Sequence, residues 1–496
     1  MLFDINLHGK APAYIQIKNY FKDMILKGML LKGEKLPSTR ELAGIIKVSR
    51  NTIITAYEFL EDEGLIYIKK GQGAFVDHIH VTNLQKWSLT WEDQIADYAR
   101  NSEKLDIMKH EILYKKGMIS FKSIAPDENL FNIEDFKRAF LNRIALEGSK
   151  LLNYGYAIGY KPLIEYLMQY MESKGINTSE KKILVTNGFT EGMDIILASI
   201  TRPGDNVITE NPTHNTVIKL MRLHGLNIIG IDMDKDGMKI DVLREKLKEN
   251  RVQLCYLIPS YHNPTSIVTS SQKRVEIYNI LKEFKVPIIE DGFNEELRYT
   301  GSHIAPIAAL QGEGNSVVYV GSFSKILFPG LRIGWILADE KLISILESVK
   351  RSRNIHTSFL DQAVLYEYLK EGNLERYIKS IRKEYKNKYE FALKCAEKYI
   401  AYSSIYGEGG MHIFIKLKGI DARAVLKECV YKNVIFTPGD IFYVDGGGKN
   451  TLRLGISRNS LEEIENGFKI IGEVINGLHK LPLHNNGEID YNEKRL

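Results

Sequence analysis

Apolar positions along the chain follow two rhythms, and the change from one to the other marks its organisation. The first zone, residues 10–78, begins with helical spacing. From Pro12 to Lys27 the residues Ile15, Tyr20, Phe21, Met24 and Ile25 supply much of one apolar face. Leu36-Pro37-Ser38 reads as a helix start, with Ser38 as cap and Glu41 three residues later completing a capping box. The short helix TRELAGIIK follows. Val48-Ser49 opens another helix with Ser49 as its cap, and its Ile53, Ala56, Tyr57 and Leu60 sit at i, i+3, i+4 and i+7. That spacing predicts a buried stripe and leaves Arg50, Asn51 and Thr52 clear at the N-terminal end. Two short β runs then flank KKGQG, which predicts a hairpin with Lys69 and Lys70 near its tip.

The second zone, 79–116, is polar and has no strong period. It contains Trp87 and Trp91 and reads as an ordered or partly helical connector. In the third zone, 117–480, short apolar runs alternate with amphipathic helical stretches. The predicted strands are ILVTN (183–187), VITE (207–210), LCYLIP (254–259), VPIIE (286–290) and VVYVG (317–321). Such alternation implies βαβ units, hence an α/β domain with a mainly parallel sheet and helices on both faces. The last sixteen residues, 481–496, are polar and read as a frayed tail.

Composition narrows the class. At 496 residues the chain is too long for one ordinary domain, and 44% hydrophobic with 26% charged residues is a soluble globular balance. No apolar run reaches the ~18 residues needed to span a bilayer. MLFDINLHGK lacks the pattern of a secretory signal, so a cytoplasmic protein with no membrane partner is expected. Cys255, Cys395 and Cys429 lie far apart without a CxxC pair, which reads as reduced thiols, and no metal site is expected. Net charge is only +5, and residues 1–80 carry eleven Lys/Arg against nine Asp/Glu. Bulk charge therefore does not argue for nucleic acid. Placement does: Arg40, Lys47, Arg50, Lys69 and Lys70 can share one face, while Glu58, Glu61, Asp62 and Glu63 gather at the far end of the second helix. Two short helices joined by a tight turn form a helix-turn-helix, whose second helix reads bases with its N-terminal residues.

Four segments of the third zone carry chemistry. In GSFSKILFPGLRIGW, Ser322 and Ser324 end an apolar run, Lys325 follows, and Arg332 lies seven residues on. Hydroxyls and a guanidinium suit a phosphate, and an amine in the same pocket can condense with an aldehyde. VPIIEDGF sets Asp291 just past a buried strand, where a carboxylate can hold a pyridine nitrogen protonated. TNGFTEG opens a helix whose Phe189 and Thr190 N–H groups can cradle a phosphate. PSYHNPTS offers Asn263 as a donor toward a ring hydroxyl. Together these are the needs of pyridoxal 5'-phosphate.

The string LPSTRELA–VSRNTIITAYEFLEDEGLI–KKGQGAFV closely resembles the GntR-type winged helix. That resemblance implies operator DNA as a partner, contacted by Arg40, Ser49, Arg50, Thr52, Lys70 and Gly71. The four segments of the large zone resemble, in order and spacing, the fold type I aminotransferases. With the head in front, nearly the whole chain is similar to the MocR/GabR-type regulators. The resemblance implies a smaller C-terminal α/β subdomain, a cofactor on Lys325, an amino compound or the cofactor as effector, and a head-to-tail homodimer. It also implies roles for three further residues. Tyr154 in NYGYAIG resembles the tyrosine that reaches the phosphate of the neighbouring subunit's cofactor. His214 in ENPTHN takes the place of the aromatic stacked on the pyridine ring. Arg453 in LRLGIS resembles the arginine that grips a substrate α-carboxylate.

The chain also departs from that pattern. Phe293 stands where many relatives have a tyrosine touching the ring hydroxyl, which leaves that hydroxyl to Asn263. His214 adds a titratable group. Thr216 occupies the position of an arginine in the GABA-responsive members, so a GABA effector is not supported. The NPTG turn reads NPTS, with Ser266 at its end. Two functions of different class fit. One is a regulator sensing an amino compound or the cofactor. The other is an active aminotransferase with an appended DNA-binding domain, which the retained Lys325, Asp291 and Arg453 allow. The intact recognition helix and wing favour the regulator.

Overall fold

A computed structural model describes residues 5, 7, 11–77, 89–110, 112–299 and 303–480. Trp87 and the tail 481–496 lie outside the described residues. The chain divides into two compact units, Met1–Ile95 and Ala96–Leu496.

The first unit holds three helices, Ala13–Leu26, Thr39–Ile46 and Arg50–Asp62, and an antiparallel hairpin of Ile66–Lys69 with Gly73–Val76. Its capping chemistry is local. Ser38 Oγ accepts the Glu41 N–H at 3.2 Å while the Glu41 carboxylate accepts the Ser38 N–H at 3.4 Å. Ser49 Oγ accepts the Thr52 N–H at 3.1 Å. Each cap satisfies an otherwise orphaned donor, and losing one costs about 1 kcal/mol. The stripe Ile53, Ala56, Tyr57 and Leu60 is buried, and the Tyr57 hydroxyl donates to the Pro37 carbonyl at 2.9 Å, fastening the recognition helix to the preceding turn. The first helix differs from its expected face. Ile17, Phe21 and Ile25, each four residues apart, are its buried residues, whereas Ile15, Tyr20 and Met24 are half-buried. The core needed one straight i, i+4 row, and Ile17 rather than Ile15 lies on it.

The second unit is built on an eight-stranded sheet. Its strands run in the order Lys181–Thr186, Gly334–Asp339, Val317–Ser322, Ile288–Asp291, Val252–Leu257, Asn206–Asn211, Asn227–Asp234 and Gly237–Met238. All five expected strands are present. Val317–Ser322 through Asn227–Asp234 are mutually parallel, while Gly334–Asp339 is antiparallel to both of its neighbours. Successive residues face opposite sides, and both sides are apolar: Val317 and Tyr319 enter one core cluster, Val318 and Val320 another. That is why these strands read as continuous apolar runs rather than alternating ones.

A smaller antiparallel sheet of Tyr402–Tyr406, His412–Leu417, Thr451–Gly455 and Thr437–Pro438 is separate from it. Its core includes residues from the helices Asn373–Tyr399, Ala422–Tyr431 and Leu461–Lys480. Part of the connector belongs to this unit, as the helix Asp97–Lys104 and the turn Ile107–His110, and the former packs on the helix Asn215–Leu223.

Candidate functional site

The carboxyl ends of the strands Lys181–Thr186, Val317–Ser322, Ile288–Asp291, Val252–Leu257 and Asn206–Asn211 open on one edge of the sheet, the usual ligand edge of such folds. The segments that carry Asp291, Lys325, Asn263, His214 and the Phe189 helix start leave from there. Asp291 is the last residue of its strand and is 4% exposed. It accepts the Tyr256 hydroxyl at 2.7 Å and the Phe293 N–H. Burial pushes its carboxyl up to about 7, with Glu210 and Glu290 adding repulsion against those two bonds. Among the described residues Asp291 has no ion-pair partner.

Ser322 ends its strand, and its hydroxyl donates to Ser324 Oγ at 3.1 Å while accepting the Ser324 N–H at 3.2 Å. Arg332, exposed and in the left-handed region (φ 55°), reaches Ser324 Oγ at 3.4 Å and the Asn187 carbonyl at 3.1 Å. Across from it, the helix Phe189–Ile200 starts with Gly188 as its cap. Gly188 has φ 80°, and a Cβ there would meet Arg332 Nη2 at 2.7 Å, so the recess depends on glycine. Phe189 and Thr190 are the first two residues of that helix.

Lys325 sits in the turn just past Ser324 and is half-buried. Desolvation, together with the positive charges of Arg453, Arg458 and Arg332, lowers its amine to about 8. His214 caps the helix Asn215–Leu223, and its ring lies 5.6 Å from that of Phe189, tilted by 35°. Its Nδ1 is buried with no hydrogen-bond partner. Burial and the charges of Lys325, Arg453 and His262 lower the imidazole to about 3, so the ring is neutral.

Arg453, on the strand Thr451–Gly455 of the smaller sheet, donates to Asn263 Oδ1 at 2.8 Å and to the Lys122 carbonyl at 3.3 Å. Its guanidinium lies 4.8 Å from the Phe442 ring centroid. Asn263 is 1% exposed. With its carbonyl oxygen held by Arg453, its NH2 is the end left to donate elsewhere. Ser266 adopts φ 55° where a glycine is usual, and its hydroxyl donates to the His412 carbonyl at 3.1 Å.

Tyr154 stands apart from this group, 82% exposed with its ring edge-on to His356. Thr216 is half-buried on the helix after His214.

Several contributors escaped the sequence reading. Tyr256, which binds Asp291, had a signal: a hydroxyl inside the apolar run LCYLIP must find a buried partner. Glu210 had the same signal at the end of VITE. It accepts the Ile258 N–H at 2.9 Å and lies 3.3 Å from His262 Nε2. Phe442, Arg458 and the Lys122 carbonyl had none.

On the first unit, Arg40 and Arg50 are exposed, and Arg50 Nε donates to Thr39 Oγ1 at 3.3 Å. The Ser49 and Thr52 hydroxyls bond each other at 2.7 Å. Lys70 and Gly71 are exposed at the hairpin turn, with Gly71 at φ 80°. Lys69 instead lies 5.5 and 5.6 Å from the stacked rings of Tyr67 and Phe75.

The class defined by this fold and edge is confirmed by comparison. Residues 124–471 match the family described as aminotransferase class I and II, and residues 13–76 match bacterial regulatory proteins of the gntR family. The uncharacterized HTH-type transcriptional regulator YisV of Bacillus subtilis (strain 168) is 30% identical, covering 93% of this chain and 96% of that protein. Aromatic-amino-acid aminotransferase 1 of Thermococcus litoralis is 30% identical over 79% of this chain and 96% of its own. The crystal structure of LysN, an α-aminoadipate aminotransferase from Thermus thermophilus complexed with N-(5'-phosphopyridoxyl)-L-leucine, superposes with a TM-score of 0.71. It is 29% identical and covers 79% of this chain and 99% of that one.

The chain belongs to the gntR-type transcriptional regulators that carry an aminotransferase class I and II domain. It is a helix-turn-helix regulator with an aminotransferase-like effector domain. Among the described residues, no helix is long and apolar enough to cross a membrane.

Proposed function

We propose that the chain holds pyridoxal 5'-phosphate around Lys325 and uses it to sense an amino compound, or the cofactor itself, so altering how paired winged helices engage an operator. The observation that carries this reading is the buried Asp291 carboxylate, which lacks a cationic partner among the described residues. A protonated pyridine nitrogen is the charge that would satisfy it.

The other residues fit the same group. Ser322, Ser324, Arg332 and the N–H groups of Phe189 and Thr190 suit its phosphate, in the recess that a Cβ at Gly188 would fill. His214 presents a neutral aromatic face with an unpaired buried nitrogen. Asn263, with its Oδ1 held by Arg453, has its NH2 left for the ring hydroxyl, while Phe293 offers no hydrogen bond and the Tyr256 hydroxyl is committed to Asp291. When bound, the cofactor supplies an electron sink and an aldehyde. Lys325, lowered to about 8, keeps an appreciable neutral fraction near neutral pH to hold that aldehyde. Arg453 receives the carboxylate of an incoming amino acid.

An exposed apolar stretch supports a head-to-tail homodimer. Leu146, Leu152, Tyr154 and Tyr156 are 67–82% exposed, far more than an isolated surface usually leaves uncovered in one stretch. In the dimer Tyr154 would serve the neighbouring subunit's phosphate site. On the head, Arg40, Ser49, Arg50, Thr52, Lys70 and Gly71 are the DNA-facing set, with domain limits near 10–78 for the head and 117–480 for the effector.

The deciding experiment is reconstitution with pyridoxal 5'-phosphate. A visible absorption band is expected in the wild type and not in Lys325→Ala, with salt-dependent binding to a promoter fragment. A second reading, full transamination, is favoured by the retained Lys325, Asp291 and Arg453. Steady turnover of an amino donor and a keto acceptor without promoter binding would establish it instead.

A further inference from the structure

Lys350, on the helix Glu340–Arg353, is fully buried, and its amine donates to two backbone carbonyls, Ala157 at 2.7 Å and Val185 at 2.6 Å. Desolvation lowers the amine to about 8, against the attraction of Glu191 and Glu347. A neutral amide could bridge two carbonyls at a smaller desolvation cost. The cation also offsets Glu191, whose carboxylate accepts the Asn187 backbone N–H at 2.5 Å and its side-chain NH2 at 3.1 Å.

The two carbonyls belong to segments with different tasks. Val185 lies in the strand Lys181–Thr186, which runs into Asn187 and Gly188 at the phosphate recess. Ala157 lies three residues after Tyr154, and the chain is pinned at each position that follows. The Val185 N–H donates to the Ile158 carbonyl at 2.9 Å. A Cβ at Gly159 would meet Val185 Cγ2 at 2.6 Å, and the Tyr160 N–H donates to Gln362 Oε1 at 2.8 Å. The rings just before this anchor are nevertheless exposed, Tyr154 by 82% and Tyr156 by 73%. A tightly held base under exposed rings presents a side chain to a partner at small entropic cost.

We propose that Lys350 is a positioning residue that clasps the Tyr154 segment to the strand leading into the phosphate recess, and so sets where Tyr154 meets the neighbouring subunit's cofactor phosphate. The inference rests on the cofactor site and dimer proposed above. It makes Lys350 act through Tyr154, on a site in the other subunit.

The test uses the full chain. Lys350→Met keeps the side chain's length and removes the donor. In the cofactor-free protein, hydrogen exchange read by mass spectrometry should speed up about tenfold or more over residues 154–160, with the helix Glu340–Arg353 unchanged. Equilibrium dialysis with pyridoxal 5'-phosphate then completes a double-mutant cycle. Lys350→Met and Tyr154→Phe should each weaken binding about tenfold, and the double variant no further than Tyr154→Phe alone. A merely structural lysine would let the two losses multiply. Lys350→Gln, which keeps a donor, should fall between wild type and Lys350→Met, and it takes that variant's place in the cycle if Lys350→Met does not fold. Losses that multiply, wild-type affinity in either single variant, or unchanged exchange over 154–160 overturns the proposal. A wild type that binds no cofactor overturns the site reading together with this inference, whereas a wild type that binds while the losses multiply overturns this inference alone.

Discussion

Arg453 donates through Nη1 to Asn263 Oδ1 at 2.8 Å, joining the smaller sheet to the loop after the strand Val252–Leu257. One guanidinium therefore orients the amide beside the pocket and also waits for a carboxylate. Lysine cannot do both, since it is a point charge without the planar fork. Arg453→Lys is expected to weaken an amino-acid effector about tenfold or more and to shift the cofactor's absorption band. A spectral titration of the holo-protein checks both. An unchanged affinity would remove Arg453 from the carboxylate-binding role.

Asp291 makes the stability of the cofactor-free protein depend on pH in an unusual direction. Burial raises its carboxyl from 3.8 to about 7, so between those values the folded state keeps a proton that the unfolded chain has released. Its contribution is complete below the unfolded value and is lost as pH rises through about 7. Asp291→Asn abolishes the titration. The wild type should therefore lose on the order of 1 kcal/mol or more relative to Asp291→Asn between about pH 5 and pH 8. Calorimetric melting of both apo-proteins measures this, and parallel curves would contradict it.

At Gly188 the backbone and a neighbouring side chain act together. Alanine there meets Arg332 Nη2 at 2.7 Å and must hold φ 80°. Gly188→Ala should cost about 1 kcal/mol of stability and weaken cofactor affinity by about tenfold as Arg332 is displaced. Equilibrium dialysis against the cofactor gives the second number. Wild-type affinity would show that Arg332 does not hold the phosphate.

Ser49 and Arg50 adjoin but should fail differently. Arg50→Ala is expected to lose about 1–3 kcal/mol of operator affinity with little change in melting temperature. Ser49→Ala removes the cap on Thr52 and should lower stability by about 1 kcal/mol together with affinity. Fluorescence anisotropy and thermal melts on both variants separate these effects. Equal melting temperatures would mean that Ser49 acts on DNA alone.

Ser38 with Glu41, Ser49 as a cap, and the stripe Ile53–Leu60 were all legible in the chain, and so were the five strands; that Thr52 is the residue Ser49 binds was not. The strand Gly334–Asp339 was not, because it begins inside a segment read for phosphate chemistry and its direction follows from its neighbours. In the candidate site, Lys325, Asp291 and Asn263 were read from their chemistry next to predicted strand ends, whereas His214 came only from the family resemblance. The first helix was misread by a single position: periodicity gives a face, and packing selects the row within it.

What the order of residues determined by itself is what acts within a few positions: caps, helical stripes, apolar strands, and the hydroxyl and lysine series at 322–325. Hydrogen bonds and side-chain periodicity at that range need no partner from elsewhere in the chain. Only the tertiary structure decided that Arg453 meets Asn263 across 190 residues, that Tyr256 binds Asp291, and that Phe442 lies against the guanidinium. Those contacts depend on the order in which strands pair and on how the smaller sheet is set against the larger one, and no local pattern encodes that arrangement.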